Sequence, residues 1–233
     1  MDNLLKILIL FFIYSFLGWM IEVAYCSITS KKIINRGFLK GPYCPIYGFS
    51  ALSIILILNS FIDKLVNING ILFYFLVFLV SVIVSSIIEL ITGVLIEKIF
   101  KMRLWDYSDK NFNIQGHICL EFSIYWGFLS FLLIIIVNPL FTKIASYLST
   151  TNYKYFFIFF LFLIILDFIT VARSIFIFNR LVEKINILDI NKIVSSLKKY
   201  KRILRNFVPN FYNINNNKFI KIKDKIFQLL IKK

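Results

Sequence analysis

Charged residues are scarce in this 233-residue chain, where they make up 17% of the sequence, against about 25% in an average soluble domain. Hydrophobic residues make up 59%, and the 27 phenylalanines and 12 tyrosines carry more apolar surface than one soluble core can bury. The mean hydropathy is +0.81. This composition excludes an ordinary soluble protein and predicts an integral membrane protein.

Residues that bind metals or form disulfides are also few. There is one histidine, and the three cysteines (Cys26, Cys44 and Cys119) are irregularly spaced, with no Cys-x-x-Cys sequence. The sequence therefore predicts no disulfide framework, no metal site and no cofactor. A phosphate-binding loop of the form Gly-x-x-x-x-Gly-Lys-Ser/Thr is also missing, so an ATPase would have to be a separate chain.

Five apolar segments approach or exceed the length of about 20 residues that a membrane-spanning helix needs. They are residues 7–27, 45–62, 71–95, 117–140 and 155–178. The sequence predicts an all-α, polytopic membrane helix bundle, with residues 1–180 as the transmembrane domain and residues 181–233 as a basic cytoplasmic tail. The second segment is short and contains Gly48, which favours a position deep in the bundle.

Basic residues are concentrated in the tail, since residues 180–233 contain 14 lysines and arginines but only 3 acids. Apolar residues recur there at helical spacing around a basic cluster, which comprises Lys198, Lys199, Lys201, Arg202 and Arg205. A basic amphipathic helix next to a membrane span is typical of binding to anionic lipid. No nucleic-acid recognition fold is recognisable, so nucleic acid is not an expected partner.

The distribution of lysine and arginine also predicts an orientation. The loops after the first and third segments, together with the tail, hold 22 basic residues, whereas the N-terminus and the other two loops hold 4. Because basic residues are enriched on the cytoplasmic side, we expect the N-terminus outside and the C-terminus in the cytoplasm.

Four acids and one arginine lie inside the predicted spans, namely Glu22, Glu89, Glu121, Asp167 and Arg173. A charge at the bilayer centre costs at least about 2.5–3.5 kcal/mol on insertion scales, so such residues normally face the bundle interior. They lie at mid-membrane or in the cytoplasmic half, which predicts either a polar cavity open to the cytoplasm or a dry ion-pair network. Asp167 and Arg173 are six residues apart, so each needs a partner on another helix.

The first and third segments share a pattern that predicts an internal repeat. Glu22 is followed by Arg36 and Glu89 by Arg103, both 14 residues later, and each loop enters the next helix through Gly-x-x-Cys. We expect the two glutamates to meet on facing helices at equal depth, with Arg36 or Arg103 at the cytoplasmic mouth. A shared proton or a captured cation would suit transport, whereas an arginine locked between them would suit structure.

Residues 36–48 are rich in glycine and proline, which favours a defined non-helical path packed against protein. Irregular backbone beside intramembrane carboxylates is typical of binding sites, although an interfacial turn carrying aromatic-belt tyrosines would give the same pattern. The further candidates for the cavity come from the two cytoplasmic loops. They are Tyr43, Tyr47, Trp105, Asp106 and Gln115.

Four strings in the sequence resemble a known family. They are Tyr-Ser-Phe-Leu-Gly-Trp at 14–19, Asn-Arg-Gly-Phe-Leu-Lys-Gly-Pro-Tyr-Cys-Pro-Ile-Tyr-Gly at 35–48, Trp-Asp-Tyr-Ser at 105–108 and Phe-Asn-Ile-Gln-Gly at 112–116. They resemble the bacterial family of putative ABC-transporter type IV membrane proteins, from about residue 10 to 175. Asn111 and His117 depart from the family pattern, which has proline and arginine there. The resemblance implies a permease in a bacterial cytoplasmic membrane, whose partner would be a separate ATPase or another membrane subunit.

Three functions are compatible with these features. The first is a permease-like transporter subunit, alone or as a homo-oligomer, with a polar inner-leaflet cavity lined by Glu22 and Glu89. The alternatives are an intramembrane enzyme acting on a lipid or lipid-linked substrate, and a scaffold that recruits partners through its tail. An enzyme is not favoured, because Cys119 lies two residues from both His117 and Glu121, and residues two apart diverge around a helix.

The tail generates a first prediction. The isolated segment 182–233 should bind anionic vesicles and dissociate as salt is raised, because each basic residue near the surface contributes about 1 kcal/mol, and salt screens that attraction. Co-sedimentation with vesicles at increasing salt measures this. Equal binding to neutral vesicles would contradict an electrostatic cause.

Overall fold

The computed structural model describes residues 2–31, 37–65, 70–150 and 153–183. The helices are α1 (Asp2–Ser30), α2 (Pro45–Leu65), α3 (Gly70–Phe100), α4 (Leu120–Leu132), α5 (Asn138–Thr150) and α6 (Lys154–Glu183). A π-helical turn, Leu133–Val137, joins α4 to α5, so these two form one 31-residue apolar helix. Two-residue strands β1 (Asn113–Ile114) and β2 (Ile118–Cys119) pair in an antiparallel hairpin before α4. The predicted all-α membrane bundle is confirmed.

Four of the described helices are long and apolar enough to cross a membrane: α1, α3, α4 with α5, and α6. The helix α2 is shorter in its apolar part, Pro45–Ser60. The helices extend beyond the predicted segments by up to ten residues, and the fourth begins at Leu120 rather than at residue 117 because the hairpin precedes it.

The third helix is polar on its buried face and apolar on its exposed face. Its buried residues recur at four-residue spacing as Val77, Ser81, Ser85, Glu89 and Gly93. Its exposed face carries large aliphatic residues at the same spacing, which are Ile83, Ile87, Ile91 and Leu95. Water would disfavour this arrangement, whereas lipid accepts the aliphatic face and the bundle interior takes the polar one.

Glycines allow the antiparallel neighbours to pack closely. A β-carbon added to Gly48 of α2 would collide with the Ser15 side chain of α1, and one added to Gly127 of α4 would collide with Val82 of α3. Ser15 precedes Glu22 by seven residues, and Val82 precedes Glu89 by seven. The α1–α2 pair and the α3–α4 pair are therefore in closest contact about two helical turns before Glu22 and Glu89, respectively. Small residues are typical of such interfaces, because helices in lipid are not driven together by the hydrophobic effect and associate through close packing instead.

The sixth helix lies at the edge of the bundle and is held mainly by aromatic contacts. The Phe12 and Phe160 rings pack edge to face, and Phe100 of α3 contacts both Phe168 and Phe176. The Asn179 side chain donates to the backbone carbonyl of Phe100 at 2.7 Å, at the end of α3. This leaves one face of α6 exposed along most of its length.

Close helix packing generates a second prediction. Gly48→Ala should destabilise the protein by about 1–3 kcal/mol, the usual cost of overpacking, because the methyl group has no room beside Ser15. Gly70→Ala is the matched control, since no atom lies within 4 Å of its added β-carbon. Thermal unfolding of both variants in the same detergent measures the difference. Equal loss of stability in the two would contradict close packing at Gly48.

Candidate functional site

One carboxylate of α6 holds the non-helical segment 37–44 against the bundle. Oδ2 of Asp167 accepts hydrogen bonds from the backbone N–H groups of Lys40 at 2.8 Å and Gly41 at 3.0 Å, and from the Tyr43 hydroxyl at 3.0 Å. Burial, together with the Asp167 charge, raises the pKa of the Tyr43 hydroxyl above its ordinary value, so it remains a donor. Asp167 thus accepts hydrogen bonds from a loop whose backbone groups are not paired in a helix or a strand.

This loop reaches far along the first helix. The backbone N–H of Cys44 donates to the carbonyl of Ser15 at 2.8 Å. Ser15 lies 15 residues from the end of α1 at Ser30, which is about 22 Å at the α-helical rise. The segment therefore folds back to the middle of α1. Irregular backbone at that depth is stable only where protein or water satisfies it.

A tyrosine at the start of α2 holds the first glutamate. The Tyr47 hydroxyl donates to Oε1 of Glu22 at 2.7 Å. The ring of Tyr47 also packs against Gly18 of α1, where a β-carbon would collide with it. Gly18 therefore provides the space that lets Tyr47 reach Glu22, one turn further along α1.

The second glutamate is buried and has two hydrogen-bonding neighbours. The Tyr107 hydroxyl donates to Oε1 of Glu89 at 3.1 Å, and the Trp126 indole lies at hydrogen-bonding range of the carboxyl group, although no described donor is well aligned with Oε2. The residue is 7% exposed, and the indole of Trp126 lies beside its carboxyl group. Burial, followed by the Glu89 charge, raises the pKa of the Tyr107 hydroxyl, which keeps it protonated as a donor.

Glu22 and Glu89 lie close enough for direct charge–charge interaction. The rings of Tyr47 and Trp126 join their surroundings, with centroids 5.5 Å apart in an edge-to-face arrangement. We call Glu22 and Glu89 the carboxylate pair. Each carboxylate accepts a hydrogen bond from a tyrosine hydroxyl, and the rings of Tyr47 and Trp126 contact each other beside them.

A cavity of about 30 Å³ lies beside two aromatic residues of this site, although neither glutamate lines it. Tyr47 and Trp126 line it, together with Tyr14, Ser50 and Ser130. The π-helical turn also contributes to its wall, and at its far side Tyr14 donates to Oδ1 of Asn138 at 2.7 Å. Its volume is sufficient for about two water molecules.

A second polar cluster, which we call the loop-end cluster, closes the other side. Oε2 of Glu97 lies 2.9 Å from Nε of Arg103 and 3.0 Å from Nε2 of His117. Arg103 also contacts Asp106 at 3.3 Å, and Asp106 accepts a hydrogen bond from the Ser108 hydroxyl at 2.6 Å. Arg103 is thus paired with Glu97, two turns from Glu89.

Burial lowers the pKa of the His117 imidazole below its ordinary value, and the opposing effect of the Glu97 carboxylate does not reverse this. The residue is 4% exposed. The indole N–H of Trp105 fixes its backbone by donating to the His117 carbonyl at 2.7 Å. At neutral pH the imidazole is therefore uncharged, with Nε2–H donating to Glu97.

Several predicted site residues lie away from the carboxylate pair. Glu121 is exposed and pairs with Lys110 at 3.0 Å. Gln115 is exposed in the hairpin, with a φ of 53°. Arg173 is exposed on α6 and joins none of the ion pairs found between described residues.

The described part of the chain contains no catalytic unit built on Cys119. Cys119 is buried, His117 contacts Glu97, and Glu121 contacts Lys110. In the described residues no group of three or more histidine, cysteine or acidic side chains could hold a metal ion. Arg36 and the basic cluster of the tail lie outside the described residues.

Three residues that contribute to this site are not among the residues predicted from the sequence. Because Glu97 follows Glu89 by eight residues, the spacing alone indicates that both glutamates lie on the same face of α3. Tyr107 and Trp126 are aromatic residues among many, and their sequence positions give no sign that they lie beside Glu89.

A family model described as putative ABC-transporter type IV matches residues 9–172. The chain belongs to this family. No curated protein and no solved structure matches it. Membership of the type IV family, together with the four long apolar helices, makes this a membrane protein of transporter-like type.

The Asp167 contacts generate a third prediction. Asp167→Ala should release segment 37–44, because two backbone N–H groups lose their acceptor, and each unsatisfied buried group costs about 1–3 kcal/mol. The Cys44 thiol, buried in the wild type, should then react with a maleimide, as measured by mass spectrometry of the labelled peptide.

Thr170→Ala is the matched control, because Thr170 lies nearby on α6, is exposed, and bonds only to its own helix. It should leave Cys44 protected. Unchanged protection of Cys44 in Asp167→Ala would show that Asp167 does not hold the segment.

Proposed function

We propose that the protein is the permease-like subunit of a membrane transporter, and that the carboxylate pair is its solute-binding site. The observation that carries this proposal is the nearly fully buried carboxyl group of Glu89, which has the Tyr107 hydroxyl and the Trp126 indole as neighbours and joins none of the ion pairs between described residues. A buried carboxylate without a cationic partner is strongly destabilising. Ionisable groups in spans are expensive and therefore mark pathways for ions and substrates.

The chemistry of the site favours a ligand that donates hydrogen bonds or carries positive charge. The pair supplies carboxylate oxygens, and the rings of Tyr47, Tyr107 and Trp126 surround them. Aromatic faces attract cations through their quadrupole. In this structure both glutamates already accept tyrosine hydroxyls, so a ligand would replace or supplement these bonds.

The two loops are suited to control access to this site. Segment 37–44 depends on Asp167 for its contact with α6, and the segment between α3 and α4 supplies both Tyr107 and the loop-end cluster. Displacing either segment would open the carboxylate pair toward the loop end of the bundle. With the orientation predicted from basic residues, that end faces the cytoplasm.

The energy that drives transport would come from ATP hydrolysis by a partner chain. The sequence has no phosphate-binding loop of its own, and the family description names an ABC transporter. A separate ATPase subunit at the loop end would move these segments through contacts that differ between its nucleotide states. The tail, with its basic cluster, would attach the same end to anionic lipid.

A fourth prediction tests the binding site without a known solute. A panel of small cationic and polar metabolites should include compounds that raise the unfolding temperature of the wild-type protein, because a ligand that binds only the folded state stabilises it. Glu89→Gln should fold but lose at least about nine-tenths of that stabilisation, because the carboxylate that binds the ligand is gone. Scanning fluorimetry in one detergent measures both.

Glu121→Gln is the control, because it removes an exposed carboxylate paired with Lys110. It should respond to the same compounds as the wild type. If no compound stabilises the protein, or if Glu89→Gln responds equally, the carboxylate pair is not the binding site.

A further inference from the structure

The π-helical turn between α4 and α5 leaves one backbone carbonyl without a helical donor. The backbone N–H of Asn138 donates to the carbonyl of Leu133, five residues earlier, whereas in an α-helix it would donate to Ile134. Pro139 follows Asn138 in the sequence and has no N–H to donate. The carbonyl of Ile134 therefore lacks its α-helical donor at position 138 and its π-helical donor at position 139. Turns of this kind are frequent at functional sites.

Two serine hydroxyls border the same cavity as this turn. Ser50 of α2 and Ser130 of α4 line the cavity of about 30 Å³, and Ile134 forms part of its wall. Among the described residues neither serine side chain makes a hydrogen bond. Ser60 of α2 shows the usual alternative, because its hydroxyl donates to a carbonyl one turn earlier. The cavity is thus bordered by polar groups that are free to bind a ligand.

A third hydroxyl lies at the cavity with its proton already engaged. Tyr14 of α1 lines the cavity, and its hydroxyl donates to Oδ1 of Asn138 at 2.7 Å. Its oxygen therefore presents a lone pair rather than a proton to a ligand. With the carbonyl of Ile134, which can only accept, the wall offers mainly acceptor oxygens. Such a set of oxygens suits a cation.

The charge around the cavity also favours a cation. No lysine or arginine is among the described residues that line it. Tyr47 lines it and donates its hydroxyl to Oε1 of Glu22 at 2.7 Å, so a carboxylate lies one side chain away. In a region of low dielectric constant, that negative charge attracts a positive ion more strongly than it would in water.

We propose that this cavity is a sodium-binding site, whose ligands are the hydroxyl oxygens of Tyr14, Ser50 and Ser130 and the carbonyl oxygen of Ile134. Membrane transporters commonly bind sodium through backbone carbonyls freed where a helix is interrupted. Neutral oxygens suit a monovalent ion, because sites for divalent ions normally include carboxylates among the direct ligands. The cavity has room for one small ion and about one water molecule, and Glu22 balances the charge through Tyr47.

A sodium ion at this position would connect three parts of the bundle. Tyr14 belongs to α1, Ser50 to α2, and Ser130 and Ile134 to α4 and the turn that follows it. The ion would therefore hold the α1–α2 pair against the other helix pair. Since the four ligands come together only in the folded protein, sodium should stabilise the folded state.

This inference goes beyond the proposed function, because it concerns a different ligand at different residues. Neither member of the carboxylate pair lines the cavity. The solute test uses organic compounds and Glu89→Gln, whereas the sodium test uses an inorganic ion and substitutions in the cavity wall. Either proposal can therefore fail while the other holds.

The fifth prediction concerns equilibrium binding of radioactive sodium to the full-length protein in detergent, measured by scintillation proximity. N-methylglucamine, an organic cation too large for the cavity, keeps the ionic strength constant. The wild type should retain sodium that excess unlabelled sodium displaces. Ser130→Ala and Ser50→Ala should each raise the half-saturating sodium concentration by roughly ten- to a hundredfold, because a bond to a charged group contributes about 1.5–3 kcal/mol.

Ser60→Ala is the matched control, because Ser60 is exposed on α2 and bonds only to its own helix. It should bind sodium as the wild type does. Pro139→Ala tests the carbonyl separately, since it restores a backbone N–H at an exposed position and so gives Ile134 a helical donor. This variant should unfold at the wild-type temperature or above it in the absence of sodium, yet bind sodium more weakly.

Three outcomes would overturn the proposal. The wild type retains no displaceable sodium, which would leave only water in the cavity. Ser60→Ala weakens sodium binding as much as Ser130→Ala does. The cavity variants that fold, as judged by their thermal unfolding, all keep the wild-type half-saturating concentration, which would place any bound sodium elsewhere.

Discussion

Non-helical backbone and polar side chains inside a lipid-exposed bundle must find their hydrogen-bond partners within the protein, because lipid offers none. Three carboxylates meet this need here. Asp167 accepts from two backbone N–H groups and one tyrosine, Glu22 accepts from Tyr47, and Glu89 accepts from Tyr107. Each bond joins a helix to the start of another element or to a loop. Without these acceptors, both inward-folding segments would carry unsatisfied donors.

The acids that bond to the loops belong to a series of polar groups in the described part of the bundle. The series comprises the loop-end cluster, Glu89 and Glu22, and a small cavity lies beyond them beside Tyr14. Beyond that point the core is apolar, formed by Ile9, Leu10, Ala51 and Ala145. Polar groups therefore lie toward the loop end of the described bundle, and apolar groups lie toward the opposite end.

Two contacts connect α6 to the segments around the site. The helix packs at the edge of the bundle, yet its Asp167 accepts hydrogen bonds from segment 37–44, and its Asn179 donates to the end of α3. A displacement of α6 would therefore disturb both sets of contacts. The basic tail follows this helix directly in sequence.

The sequence alone determined the class of the fold. Apolar run length and the scarcity of charge are local properties, and they predicted five helices in a lipid environment, while four short sequence strings carried the family resemblance. They also identified Glu22, Glu89 and Asp167, because an acid in an apolar run is conspicuous.

The structure decided which groups these acids contact. Asp167 lies against a loop 126 residues away in sequence, Arg103 pairs with Glu97, and Gly93 makes room for His117. Such contacts depend on how deeply the loops fold back and on where small residues let side chains approach. Those features arise from the packing of distant segments, which no local pattern encodes.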